Sequence, residues 1–332
     1  MKLISLKCSN PDGRLALVSR DLGRVVPADD ICPTLQAALD QWPDVAPALE
    51  SRAAELAQGR ARDTVPFVPR LTAAPLPRSY QWLDGSAFQS HGDLMSKVFK
   101  IDNPQGDRPL MYQGMSHEFL SGTDDVVLPS EADGIDFEGE FAVITDAVPM
   151  GVGVHDALDH IKLIVQLNDW SLRTIAPIEM KTGFGWVQAK PACSISPAAL
   201  TPEELGAAWE RGRVALPLHV SWNAAKFGRA HGGAMQFSFA DLIVHAARSR
   251  SLCPGTIIGS GTVSNDNYRE VGSSCIAERR AIELLDEGAA KTPYMRFGDM
   301  VRMAAVDVDG AMPFGAIEQR VVALRAPMGT SR

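Results

Sequence analysis

Short apolar runs, broken by turn-forming residues, dominate the pattern of hydrophobic and polar positions along this chain. Residues 2–7 and 14–19 read as two strands around Ser9-Asn10-Pro11-Asp12-Gly13, whose Asn, Pro, Asp and Gly suit a hairpin turn. The period then changes. After Pro33-Thr34, Leu35, Leu39, Val45, Leu49 and Leu56 recur at roughly helical spacing, interrupted near Pro43 and Pro47, which predicts an amphipathic helical part packed on the hairpin. Four prolines with glycine and threonine fill 59–78, a composition poor for helix and strand alike. A domain boundary is therefore expected there, separating a small N-terminal α+β domain at 1–75 from a larger one at 76–332.

The larger part is expected to be mostly β. Trp82-Leu83-Asp84-Gly85-Ser86 reads as a turn whose Ser86 caps a helix through His91, Met95 and Phe99. Residues 155–161 predict a short helix, and 162–167 a buried strand that ends at Asn168-Asp169-Trp170-Ser171. Residues 213–222 alternate like a strand, and 237–247 form an amphipathic helical pattern. The segments 275–284, 299–308 and 314–322 are read as further strands. The expected class is α+β, mostly β, with helices as connectors.

One stretch combines charge with core. In Asp136-Phe137-Glu138-Gly139-Glu140-Phe141-Ala142-Val143-Ile144-Thr145, residues 141–144 are apolar at every position, the signature of a strand buried on both faces. Side chains two apart share a strand face, so Glu138 and Glu140 are expected to point the same way. A lone Glu-x-Glu is most often a solvated strand end. Acids at the mouth of a doubly buried strand, however, need a metal or a cationic partner, and a hard-cation site is the expectation.

Composition narrows the function classes. Lys plus Arg number 32 and Asp plus Glu 40, a net charge of −8 without a basic block, which argues against nucleic acid as a partner. The five cysteines are scattered and form no Cys-x-x-Cys pair, so neither a disulfide framework nor a zinc knuckle is expected. No apolar run reaches the roughly 18 residues of a membrane span, and a cytoplasmic protein is expected. Gly259-Ser260-Gly261-Thr262 could present backbone N–H groups to an anion, but its spacing fits neither a P-loop nor a dinucleotide fingerprint.

Taken with Asp84-x6-His91, Asp136-Phe137-Glu138-Gly139-Glu140, Asn168-Asp169-Trp170-Ser171-Leu172-Arg173, Lys190 and Ser260-Gly261-Thr262, the chain resembles the fumarylacetoacetate hydrolase family, in particular its bacterial members. The resemblance spans nearly the whole second part and implies a mixed β-roll catalytic domain, usually homodimeric. It also implies a divalent cation, Mg²⁺ before Ca²⁺ or Mn²⁺, held by Asp84, Glu138, Glu140 and Asp169. An all-carboxylate set is what hard-cation chemistry selects.

By the same resemblance His91 activates water, Glu278 orients it, and Lys190 with the cation stabilises the departing enolate. Tyr112, Lys100 and Thr262 would lie near the substrate's carboxylate or carbonyl oxygens. Ser86, Lys100 and Ala176 stand where eukaryotic members carry Tyr, Arg and Gln, and Thr174 replaces a frequent acid. Lys in place of Arg keeps the charge and loses the bidentate fork. The expected activity is hydrolysis of a carbon–carbon bond in a 1,3-dicarbonyl acid such as fumarylacetoacetate or another acylpyruvate, in aromatic-acid catabolism. Two alternatives stand beside it: decarboxylation, dehydration or isomerisation of a 2-oxo acid by the same enolate chemistry, and binding of metal and organic acid without turnover.

Overall fold

The computed structural model of this chain describes residues 1–99 and 108–325. Its centre is the strand Gly139–Thr145, buried at all seven positions. Both faces are covered, by different partners. Ala142 and Ile144 pack into a core shared with Leu3, Leu15, Leu17, Leu35, Leu39 and Leu49 from the N-terminal segment. Phe141 and Val143 pack into a second core with Phe137, Trp170, Leu218 and Met303. Full burial of such a side chain is worth about 1.5–3 kcal/mol, which is why this strand tolerates no polar residue along 141–144.

Among the described residues, twelve strands form one sheet. The central strand runs antiparallel to Ile161–Asn168 on one side and to Ile257–Gly259 on the other. Ile257–Gly259 pairs in parallel with Trp82–Ser86, which pairs antiparallel with Leu110–Gly114. A separate five-stranded sheet contains Pro217–Trp222, Ala225–His231, Met300–Ala305 and Ile317–Ala323. The N-terminal hairpin Lys2–Leu6 and Arg14–Val18 extends the large sheet, because Lys2 and Leu3 pair with Leu200 and Ala199. The α+β, mostly β class expected from the hydropathy pattern is the one observed, with the mixed sheets that the family resemblance implied.

Three local expectations are corrected. Trp82–Ser86 is a strand, not a turn, and the helix carrying His91 runs over Gln89–Phe99. Its edges are hydrogen-bonded on both sides, and that pairing outweighs the Asp-Gly-Ser turn signal. Residues 276–287 form a helix rather than a strand, capped by Cys275, with Ile276, Ala281 and Ile282 on its buried face. The helical region after Thr34 splits into Leu35–Asp40 and Trp42–Ala57, with Pro43 in the first turn, where a missing N–H costs nothing, while Pro47 is accommodated inside. No helix among the described residues is long and apolar enough to cross a membrane.

Candidate active site

The sheet register assembles the site. Gly139 pairs with Asn168 and Gly259 with Asp84, while Asp84 pairs with Tyr112, so adjoining strands of the large sheet deliver Glu140, Asp169, Asp84 and Tyr112 to one place. Close approach demands glycine here. A Cβ on Gly259 would lie 2.3 Å from Asp84 Oδ1, and one on Gly261, at φ +74°, would lie 2.4 Å from the Gly85 carbonyl. The Gly-rich turn does present a backbone N–H to an anion, but the anion is the protein's own: Gly261 N donates to Asp84 Oδ1 at 3.1 Å.

Asp84, Glu140 and Asp169 are buried, and one carboxylate oxygen from each lies within 4.8 Å of the others. Neither oxygen of Glu140 has a hydrogen-bond partner among the described residues. Burial, together with the charge of Asp169, pushes Asp84 well above the ordinary carboxylate range. Burial and the charges of Asp84, Asp169 and Glu138 do the same to Glu140. A partnerless buried carboxylate beside two others is costly unless a cation joins them. The donor set, all carboxylate oxygen, fits a hard divalent ion.

Glu138, expected as a fourth ligand, is not in that group of three. It stands at an isolated bridge to Cys275, just ahead of the strand that begins at Gly139, and its carboxylate is tied to other partners. Its Oε1 accepts from Ser171 Oγ (2.7 Å), Arg173 Nη2 (2.6 Å) and Lys190 Nζ (3.0 Å), and its Oε2 from Thr262 Oγ1 (2.5 Å). Burial opposes its ionisation, yet Arg173 and Lys190 hold it well below the usual range. Its backbone is tied as well: Glu138 N donates to Asn168 Oδ1 and Glu138 O accepts from Asp169 N, both at 2.9 Å.

Lys190 is buried rather than solvated, with Nζ 2.5 Å from Asp169 Oδ2. Burial would weaken its ammonium, but Asp169 and Glu138 hold its pKa above the ordinary lysine value. The Tyr112 hydroxyl donates to Asp169 Oδ2 at 2.7 Å, and the Cys193 thiol to Oδ1 at 3.0 Å. Lys190 also lies 5.4 Å from the centre of the Tyr112 ring. Lys100 lies outside the described residues.

His91 and Glu278 converge. His91 Nδ1 is 3.9 Å from Glu278 Oε2, and both atoms are buried without a hydrogen-bond partner among the described residues. One segment ties this pair to the carboxylates, since Gly261 holds Asp84, Thr262 holds Glu138, and Ser264 donates to Glu278 Oε1 at 2.5 Å.

Several site residues carried little sequence signal. Arg173 bridges Asp136 Oδ2 (2.7 Å) and Glu138, and Asp136 in turn accepts Ile276 N (2.7 Å) and Ala277 N (2.9 Å) at the start of the helix that carries Glu278. An acid inside a buried run and an Arg in the Asn168–Arg173 motif were the legible hints. Ser264 and Cys193 offered none.

Residues 81–322 match the family model of the C-terminal part of fumarylacetoacetate (FAA) hydrolase, and residues 1–78 that of fumarylacetoacetase N-terminal domain 2. Among curated proteins, a 2,4-didehydro-3-deoxy-L-rhamnonate hydrolase from Sphingomonas sp. (strain SKA58) is 26% identical over 162 residues, 48% of this chain and 54% of that protein. The human mitochondrial oxaloacetate tautomerase FAHD2A is 23% identical over 167 residues, 48% of this chain and 49% of that protein. The chain thus spans about half the length of the curated relatives it matches. Among solved structures, maleylpyruvate hydrolase from Sphingobium sp. SYK-6, in complex with manganese (II) ion and pyruvate, shares 18% identity at a TM-score of 0.64, covering 98% of this chain and all of that one. With both family models matched and together spanning nearly the whole chain, this chain belongs to the fumarylacetoacetate hydrolase family.

Proposed function

We propose that this protein is a divalent-cation-dependent hydrolase that cleaves a carbon–carbon bond in an acylpyruvate-type 1,3-dicarbonyl acid. The observation that carries this reading is the His91–Glu278 pair, 3.9 Å apart, beside the three converging carboxylates. Asp84, Glu140 and Asp169 would hold the cation, with Mg²⁺ the expected ion. Bound there, a divalent cation would supply Lewis acidity for a 1,3-dicarbonyl and for developing enolate charge. A pyruvate complex with manganese in a structural relative is consistent with that chemistry.

The chain's own groups supply the rest. His91 takes a proton from water, and Glu278 holds the imidazolium that results. The hydroxide adds to the distal carbonyl carbon, and the bond to the central carbon breaks. The electron pair stays on the pyruvate-derived fragment as an enolate, which takes up one proton to give a 2-oxo acid beside the new carboxylic acid. Lys190, held between Asp169 and Glu138, places a permanent positive charge where that enolate develops.

The relatives' names include a tautomerase as well as hydrolases, and water activation is what separates the two. The test is a panel of 1,3-dicarbonyl acids, including fumarylacetoacetate, fumarylpyruvate and maleylpyruvate, followed by loss of ultraviolet absorbance with Mg²⁺, with Mn²⁺ and with chelator. Cation-dependent turnover is expected, with release of pyruvate from the acylpyruvates or of acetoacetate from fumarylacetoacetate. Absence of turnover across the panel would overturn the proposal.

A further inference from the structure

Glu278 is completely buried and its carboxylate has one hydrogen bond among the described residues, the one from Ser264. Ser264 is equally buried and carries a single hydroxyl proton, which it spends on Glu278 Oε1. A second donor must therefore serve Ser264 itself, and Ser90 does so, its Oγ donating to Ser264 Oγ at 2.9 Å. Ser90 precedes His91 on the helix Gln89–Phe99. Two hydrogen bonds and the 3.9 Å approach of Glu278 to His91 thus run from Ser90 through Ser264 and Glu278 to His91 and join the His91 helix to the Ile276–Glu287 helix.

We infer that Ser264, backed by Ser90, is the positioning residue that sets the Glu278 carboxylate against His91. With Oε1 fixed by the serine, the carboxylate cannot rotate freely, and Oε2 is left facing Nδ1 of the imidazole. A carboxylate that accepted no such bond could swing between orientations in its pocket, and the imidazole would lose a fixed partner for its developing charge. A hydrogen bond to a charged group is worth about 10- to 100-fold in an equilibrium or a rate at this strength. This inference rests on the water-activation reading above and adds to it two buried hydroxyls.

The test measures turnover of an active acylpyruvate by Ser264→Ala, Ser264→Thr and Ser90→Ala, each also combined with Glu278→Gln, with His91→Ala run in parallel. Ser264→Ala should lose about 10- to 100-fold in kcat with KM and the Mg²⁺-induced rise in unfolding temperature unchanged, and Ser264→Thr, which keeps the hydroxyl, should recover most of it. Ser90→Ala should show a smaller loss of the same kind, and it carries the test if Ser264→Ala does not fold. In the Glu278→Gln background both serine effects should vanish, which a purely structural role would not produce. Turnover of Ser264→Ala within about twofold of the wild type, or a serine effect that persists without Glu278, would overturn the inference. If His91→Ala alone keeps full turnover, it is the hydrolase reading that fails; if His91→Ala is dead and Ser264→Ala is not, only the relay fails.

Discussion

Lys190 Nζ sits 2.5 Å from Asp169 Oδ2, buried, with Glu138 Oε1 on its other side at 3.0 Å. This one ammonium balances charge in a pocket where carboxylates outnumber cations. Lys190→Met should therefore destabilise the protein by about 3–5 kcal/mol, because it leaves two buried carboxylates short of their partner. Urea unfolding in chelator measures it, and the loss should shrink when Mg²⁺ is added. A variant as stable as the wild type in chelator would show that the pair is not a buried ion pair.

Glu140 has the opposite problem, two buried oxygens with no donor among the described residues. Glu140→Gln removes like-charge repulsion with Asp84 and Asp169, so its unfolding temperature in chelator should equal or exceed that of the wild type. The wild type should be stabilised by Mg²⁺ or Mn²⁺ and Glu140→Gln should not, since ligand linkage requires binding to the folded state. Calorimetric titration checks the same point. Undiminished cation affinity in the variant would remove Glu140 from the site.

In the proposed reaction His91 and the carboxylates have separate tasks. His91→Ala should lower kcat by about 10²- to 10⁴-fold while cation affinity stays at its wild-type level, the signature of a lost general base. Glu140→Gln should lose both. Wild-type turnover in His91→Ala would move the assignment toward a lyase, decarboxylase or tautomerase, which needs no attacking water.

Far from the site, Lys2 donates from Nζ to the carbonyls of Arg20 and Pro313, both at 2.8 Å, and burial lowers its ammonium from 10.5 to about 8. The folded state then binds this proton more weakly than the unfolded state does. Below pH 8 both states are protonated and the burial cost is felt in full; between pH 8 and 10.5 the unfolded state holds more protons, so this group's contribution to stability rises with pH. Relative to Lys2→Met, the wild type should gain about 1–3 kcal/mol from pH 7.5 to 10. Urea midpoints at the two pH values measure this, and a pH-independent difference would refute it.

What the amino-acid sequence determined by itself was the class of fold and the chemical inventory. Apolar periodicity marks Gly139–Thr145 and Ile161–Asn168 as strands because burial on both faces leaves no freedom in residue type. Acidic motifs, in order along the chain, were enough to indicate the family and to single out Asp84, Glu140 and Asp169, whose carboxylates the fold brings within 4.8 Å of one another. Tertiary structure alone decided partners, because those depend on strand register and on residues more than a hundred positions apart. Thr262 meets Glu138, and Asp136 caps the helix that carries Glu278. The same reason explains the misread segments. Residues 82–86 become a strand because neighbours pair with both edges, and 276–287 become a helix because Cys275 and Asp136 satisfy its first N–H groups. Glu138 leaves the group of three because Arg173 and Lys190, remote in sequence, reach it first, and no local pattern records the meeting of charges that only folding brings together.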